Sequence, residues 1–555
     1  MQRHLQLLLM LAPVTKESKD NRKTNESCLM RAETVFTIRT ALIVALGGFL
    51  MGFDASVISG VVRFIKVEFA LNGLQLGWVV ACLSLSASLA MLAAGPLSNQ
   101  FGRRAVLKWA AACYVVSALG SALATGYASL IAFRMLGGIG VGAALILAPM
   151  YIAEIAPPAQ RGRLVSINQL NIVIGITVAF FTNYLILQLA KSEAGWSQML
   201  NFGVWQWRWM LGVEVLPAVL YLIGLQFVPE SPRWLMLRKR EAEALEVMTR
   251  ACGATQAALD IDVVRASLNS DKTGEAIGEP MLAAIPLKKL LHPSLRGVMI
   301  IGLVVAVLQQ ITGINAIFFY APMIFEQTGI GADAAFLQAV LVGLTNLVFT
   351  VVAMLLIDRL GRRPLLLMGV SGITVCMFLL AYGFGSATYT LASGDINTYR
   401  LTAPELPQLV GQTFESEAAF RDAATQAAGP AWYAQHGADL EKAAIELDAG
   451  LILFAILGFV ASFAMSLGPV MWVLFSELFL NHVRALAISV AGLANSLMSF
   501  LVQLIFPTEL AILGAAITFA LFGMFALLGL GLIAWLLPET RGRSLEALEM
   551  ELVAA

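Results

Sequence analysis

Charge is scarce in this sequence. Of 555 residues only 13% are Asp, Glu, Lys or Arg, and the 36 basic side chains cancel the 36 acidic ones. A soluble protein covers its outside with charged and polar groups, so a chain this long with so few cannot face water all round. The balanced sign also removes the basic footprint on which nucleic-acid binding depends. Histidine is rarer still, at four residues. The five cysteines (Cys28, Cys82, Cys113, Cys252, Cys376) are odd in number and lie mostly in apolar stretches, with neither metal-ligand spacing nor a disulfide framework. No nucleophile–base pair, phosphate cradle or cofactor motif stands out. Nothing points to an enzyme, a bound metal or a cofactor.

Apolar residues are what the chain has. They make up 59% of it, and the mean hydropathy is +0.79. Twelve apolar runs occur, near 41–63, 75–98, 105–124, 128–152, 165–188, 208–228, 296–321, 335–357, 365–386, 449–475, 485–506 and 512–537. Each is long enough to cross a hydrocarbon core of about 30 Å as a helix, and none shows the period-two alternation of a barrel strand. The chain therefore reads as an all-α membrane protein embedded in a lipid bilayer. Arg103, Arg104, Arg161, Arg163, Arg359, Arg362, Arg363, Arg484, Arg541 and Arg543 fall in loops on one side, against Lys66 and Lys191 on the other. The excess of basic residues makes the first side, and with it both termini, cytoplasmic. Residues 1–36 read as a disordered cytoplasmic tail; the Leu7–Leu11 run behind Arg3 is a poor signal peptide, and translation is expected to begin at Met30.

An internal repeat divides the chain. Gly102-Arg103-Arg104 matches Gly361-Arg362-Arg363, Glu154 and Arg161 match Glu477 and Arg484, and Pro229-Glu230-Ser231 matches Pro538-Glu539-Thr540. Each anchor ends the equivalent span of its half, so two six-helix halves run in parallel: residues 37–228 and 293–538. The offset between anchors jumps from 259 to 323 and settles at 309. The jump locates an acidic outer-side insertion over 386–448, with helix-like stretches near 415–428 and 438–448; it is either a solvated loop, a cap over the entrance or a docking site. Residues 229–292 form a charged cytoplasmic linker whose Leu237–Ala251 pattern is an amphipathic helix, expected to bridge the halves. Residues 539–555 are a short cytoplasmic tail.

Parallel six-helix halves are the architecture of major facilitator transporters. Within that superfamily the sequence resembles the sugar porters. The resemblance rests on Gly52-Phe53-Asp54, Phe101-Gly102-Arg103-Arg104, Arg134 with Gly137-Gly138-Ile139-Gly140-Val141-Gly142, Tyr151-Ile152-Ala153-Glu154, and Pro229-Glu230-Ser231-Pro232-Arg233-Trp234-Leu235. It continues with Gln309-Gln310, Gly313-Ile314-Asn315, Asp358-Arg359-Leu360-Gly361-Arg362-Arg363, Gly468-Pro469-Val470-Met471-Trp472 and Pro538-Glu539-Thr540-Arg541-Gly542, all in order over 41–546. It implies twelve transmembrane helices and import of a monosaccharide by alternating access, for which a monomer suffices. A facilitative uniporter, a carrier of polyols or inositol, and a non-transporting sugar sensor remain as alternatives.

The seventh span is interrupted at Thr312-Gly313, and beside the break stand Gln309, Gln310 and Asn315. Neutral amides, each offering donors and an acceptor, suit a ring of hydroxyls better than charges do. The resemblance adds Gln169, Asn346 and Asn495 as sugar contacts, Trp472 as a stacking ring, and Phe318, Phe319 and Tyr320 as an extracellular gate. Asp54, Arg134 and Glu214 lie inside spans, where each charge costs a few kcal/mol on insertion scales, so they must pair or face a cavity. Asp54 and Arg134 match the coupling pair of proton symporters, which makes the proton the expected coupling ion. Gly138 and Gly142 read as a packing face. Glu154, Arg161, Glu230, Asp358, Arg359, Arg362, Glu477, Arg484 and Glu539 resemble a cytoplasmic gate whose salt bridges hold the outward-facing state. Three positions depart from the family pattern: Asn99 for Asp, Ser496 for Trp and Leu480 for Pro.

Overall fold

The computed structural model describes residues 16–157, 160–270, 293–393, 405–479 and 484–537, with Ala403 and Glu539. Helix α1 (Lys16–Glu68) contains the first span. The expectation of a disordered tail over 1–36 is corrected from Lys16 onward. No Gly or Pro stands between Lys16 and Glu33, and a helix already nucleated by the span extends at little cost per residue. Residues 1–15 lie outside the described residues.

Four further spans follow as α2 (Gly73–Phe101), α3 (Arg103–Ala122), α4 (Tyr127–Ile155) and α5 (Arg161–Lys191). A short α6 (Gly195–Met199) precedes the sixth span, which is α7 (Gln206–Gly212) and α8 (Val215–Gly224) with Glu214 between them. The linker folds as α9 (Pro232–Leu237), α10 (Glu241–Cys252) and α11 (Ala254–Ser270). The expected 237–251 helix is thus split before Glu241, at Lys239 with φ +62°. Residues 271–292 lie outside the described residues.

The second half opens with α12 (Pro293–Ile311) and α13 (Ile314–Glu326), which together make the broken seventh span. Then come α14 (Ala332–Leu360) and α15 (Arg362–Gly385). The insertion holds β1 (Thr388–Thr390), β2 (Thr413–Phe414), α16 (Glu417–Ala428), α17 (Pro430–Ala444) and β3 (Ile445–Glu446), with the strands antiparallel in the order β2-β1-β3. The tenth span is α18 (Ala449–Met465) plus α19 (Leu467–Leu478), broken at Ser466. Finally α20 (Arg484–Leu536) runs for 53 residues. At 1.5 Å per residue that is about 80 Å, far beyond one crossing. Gly514 leaves helical geometry (φ 75°, ψ 166°) and divides it, so the eleven long apolar helical units among the described residues contain twelve crossings.

The halves meet through α2 against α20, α5 against α14 and α1 against α13. Their packing differs between the two ends. At the end that carries the insertion, one apolar core joins Phe53, Val57 and Trp207 of the first half to Phe318, Phe325 and Phe336 of the second. At the arginine-rich end a separate core contains first-half residues such as Tyr151 and Leu147, together with Trp234, Met236 and Val247 of the linker. Thr37 of α1 donates to the Ala251 carbonyl (3.1 Å), and the Arg250 guanidinium lies over the Phe36 ring. The described part of the linker is therefore fastened to the first half, rather than spread between the two.

The insertion is a small folded unit with its own core of Tyr389, Leu406, Phe420 and Leu440. It lies over the 327–331 loop, where a side chain added at Gly329 would sit 3.0 Å from Ile445. This is more than a solvated loop.

Candidate substrate and coupling site

Two broken spans build the centre of the second half. Gly313 has φ +89°, and a Cβ there would lie 2.6 Å from the Phe522 ring, so both backbone and space require glycine. The break frees polar backbone and sets four amides in register. Gln309 donates to the Leu467 carbonyl (3.0 Å), which ties the seventh span to the break in the tenth. Asn495 donates to Gln309 Oε1 (2.7 Å) and to the Ala306 carbonyl (2.8 Å). Gln310 donates to Asn495 Oδ1 (3.2 Å), and Asn315 donates to Gln310 Oε1 and Ser499 Oγ, each at 2.6 Å.

Sequence reasoning missed the outer members of this network. Ser499 accepts from Gln503 (2.7 Å), and Ser84 of α2 donates to Gln503 Oε1 (3.0 Å), which carries the network into the first half. The signal was the four-residue spacing of Asn495, Ser499 and Gln503, one stripe of α20. Gln169 on α5 is half-buried and Asn346 on α14 is buried; neither makes any of these bonds. Trp472 is 41% exposed, the largest ring left open beside the network, with its indole edge 3.8 Å from a Cβ placed at Gly492. Phe318, Phe319 and Tyr320 are all buried, and Tyr320 donates to the Gln503 carbonyl (2.9 Å).

In the first half Arg134 Nη1 lies 3.3 Å from Asp54 Oδ1, and Arg134 Nε donates to the Val79 carbonyl (3.0 Å). Both side chains are almost wholly buried, as is Glu214, which stands within Coulombic reach of both. Asp54 Oδ2 and Glu214 Oε1 have no hydrogen-bond partner among the described residues. Gly137 makes the site possible, since a Cβ there would lie 2.9 Å from Asp54 Oδ2. Gly138 and Gly142 press on Leu83 and Ala87 of α2, the packing role expected of them.

At the arginine-rich end the repeat is reproduced bond for bond. Arg103 pairs with Glu154 (3.2 Å) and Arg362 with Glu477 (2.8 Å). Arg103 and Arg362 also donate to the Ser98 and Ile357 carbonyls, each at 3.1 Å. Glu230 accepts from the Arg103 and Arg104 backbone (2.9 and 3.1 Å), and Glu539 from Arg362 and Arg363 (3.2 and 3.1 Å). Arg161 is exposed, and the Arg103–Glu154 and Arg362–Glu477 pairs each lie within one half. Glu230 and Glu539 cap helix N-termini, where unpaired N–H groups favour an anion. Arg359 is exposed; the side chains of Asp358 and Arg484 lie outside the described residues.

Broken spans facing each other, an amide cluster between them and a buried acid–base pair in the opposite half define a secondary transporter of major facilitator type. The family profile described as "Sugar (and other) transporter" matches residues 40–397 and 423–552. The chain is 32% identical over 515 residues to the arabinose-proton symporter of Bacillus subtilis, with 93% of this chain and 94% of the relative covered. It is also 32% identical to the glucose transport protein of Synechocystis (93% and 97% covered). A structure of the partially occluded inward-open xylose transporter XylE of Escherichia coli superimposes with a TM-score of 0.69 at 30% identity, covering 92% of this chain and all of that one. The chain belongs to the sugar transporter family, a family of multi-pass membrane carriers rather than enzymes, and has its twelve-helix fold.

Proposed function

We propose that this protein imports a monosaccharide by proton symport, working as a monomer with both termini in the cytoplasm. The observation that carries the reading is the buried Asp54–Arg134 pair, 3.3 Å apart, with the second carboxylate of Glu214 beside it. Charges are costly in hydrocarbon, and a symporter needs an acid that can be neutralised in the membrane. A proton moving down 100 mV supplies about 2.3 kcal/mol, enough for roughly fifty-fold accumulation. The cargo is a hexose rather than a pentose, on the strength of a small Ser496 next to Asn495 where many relatives have Trp. With the arginine-rich end taken as cytoplasmic, the joined core at the opposite end makes this the inward-facing state.

The test is sugar-induced proton uptake in proteoliposomes holding the wild type or Asp54→Asn, with glucose, galactose, fructose, xylose, arabinose and inositol. Alkalinisation outside with a hexose, abolished in the variant, is expected. Sugar exchange with no pH change would mean facilitated diffusion, and a pentose response alone would overturn the hexose assignment.

A further inference from the structure

We propose that Tyr114 and Tyr221 are rungs of the path by which the proton leaves Asp54 toward the arginine-rich end. The inference rests on the proton-symport reading. Although the halves share no apolar core at that end among the described residues, Asp54 stays buried at 2% exposure. A proton bound there must therefore leave through the first half itself, not along the open cleft.

The groups along that route are hydroxyls. Asp54 Oδ2 faces α4 at Gly137, where Ser117 Oγ also converges. One turn further along α4, a Cβ placed at Gly140 would lie 3.3 Å from the Tyr114 ring. One more turn along, at the level of Ala144, a Cβ placed at Gly47 of α1 would lie 2.8 Å from Tyr221 Oη and 3.2 Å from the Ala144 Cβ. Gly47 precedes Asp54 by seven residues and Ala144 follows Gly137 by seven, so the Tyr221 hydroxyl lies about 10 Å from the Asp54 level.

Neither phenol hydroxyl has a partner among the described residues, though both side chains are wholly buried. Buried tyrosines ordinarily pair their hydroxyl, and a phenylalanine would fill the same volume without that cost. Two unpaired phenols in one apolar cluster below an unpaired carboxylate oxygen are groups that buried water satisfies. The proton step balances. The Asp54 O–H bond breaks as a new O–H forms on the next water or hydroxyl oxygen, and that oxygen releases its own proton onward. Every oxygen ends with the hydrogens it began with, and one proton emerges toward Tyr151, whose hydroxyl donates to the Pro229 carbonyl (2.8 Å).

The test compares wild type with Tyr114→Phe, Tyr221→Phe and the double variant in proteoliposomes. Sugar counterflow needs binding and alternating access but no net proton release; sugar-driven proton uptake needs both. The expected result is unchanged counterflow with net proton-coupled uptake slowed about tenfold or more, as for loss of a proton-transfer group. Proton uptake equal to wild type in the double variant would overturn the path while leaving symport intact. Loss of counterflow in step with uptake would overturn it too, by showing a packing role. Counterflow without proton movement in the wild type itself would remove the symport reading, and the path with it.

Discussion

At the residue scale, the amides beside the seventh-span break were legible because Thr312-Gly313 interrupts an apolar run and three carboxamides stand next to it. Ser499 and Gln503 were not, because single polar residues on a membrane helix are as ordinary in helix packing as in binding. Arg103 was hidden for a different reason: an arginine in a loop motif reads as surface, and only the folded chain shows it buried against Glu154. Gly313 gives a sharp prediction. Gly313→Ala places a Cβ at φ +89° and 2.6 Å from Phe522, so the backbone strain alone costs about 1–2 kcal/mol. Counterflow should fall steeply and the melting temperature in detergent should drop. Gly95→Ala, with nothing within 4 Å of the added carbon, should do neither. Equal behaviour of the two variants would remove the break from the mechanism.

The elements were legible where periodicity and length speak together, and less so at their joints. Twelve spans were foreseen, yet the last two are one helical rod bent at Gly514, past the 507–511 gap that the hydropathy suggested. The repeat anchors, by contrast, foretold a shared local structure. Gly102 and Gly361 take φ of +100° and +95°, and each is followed by a helix whose first N–H groups a glutamate from a distant loop receives. Glu230→Ala should cost about 1–2 kcal/mol as a lost cap. Glu230→Gln keeps an acceptor for the same N–H groups and should cost clearly less. Burial raises the Glu230 carboxyl above its usual 4.5, opposed by the backbone N–H bonds it accepts. The folded state then holds this proton more tightly than the unfolded chain, so its contribution to stability is full below pH 4.5 and fades as pH rises through the folded value. Melting curves across pH should show that slope in the wild type and lose it in Glu230→Gln. A glutamine variant as unstable as the alanine one would refute the capping role.

For the whole molecule, the two-half plan could be read from the repeat, but the conformational state could not, because one sequence encodes every state of the cycle. Here the ends differ. Arg63 meets Glu326 at 2.6 Å and Lys191 meets Asp333 at 2.5 Å across the halves at the insertion end. Such exposed pairs are worth at most about 1 kcal/mol each, so they bias this closure rather than enforce it. Close helix contact does more. On α2, a Cβ at Gly77 would sit 2.0 Å from the Leu504 carbonyl of α20, while Gly95, five turns along the same face, meets nothing within 4 Å. The halves thus touch at one end and part toward the other. Gly77→Leu should therefore forbid closure at the insertion end and hold the opposite state. A cysteine introduced on that face as S84C should then react with an impermeant thiol reagent from the insertion side, where it is shielded in a Gly77 background. Counterflow should be abolished, while sugar binding, which needs only the amide network, should persist. If Gly77→Leu still exchanged sugar at the wild-type rate, the α2–α20 contact would not be a closing surface, and alternating access would have to rest on the α5–α14 pair instead.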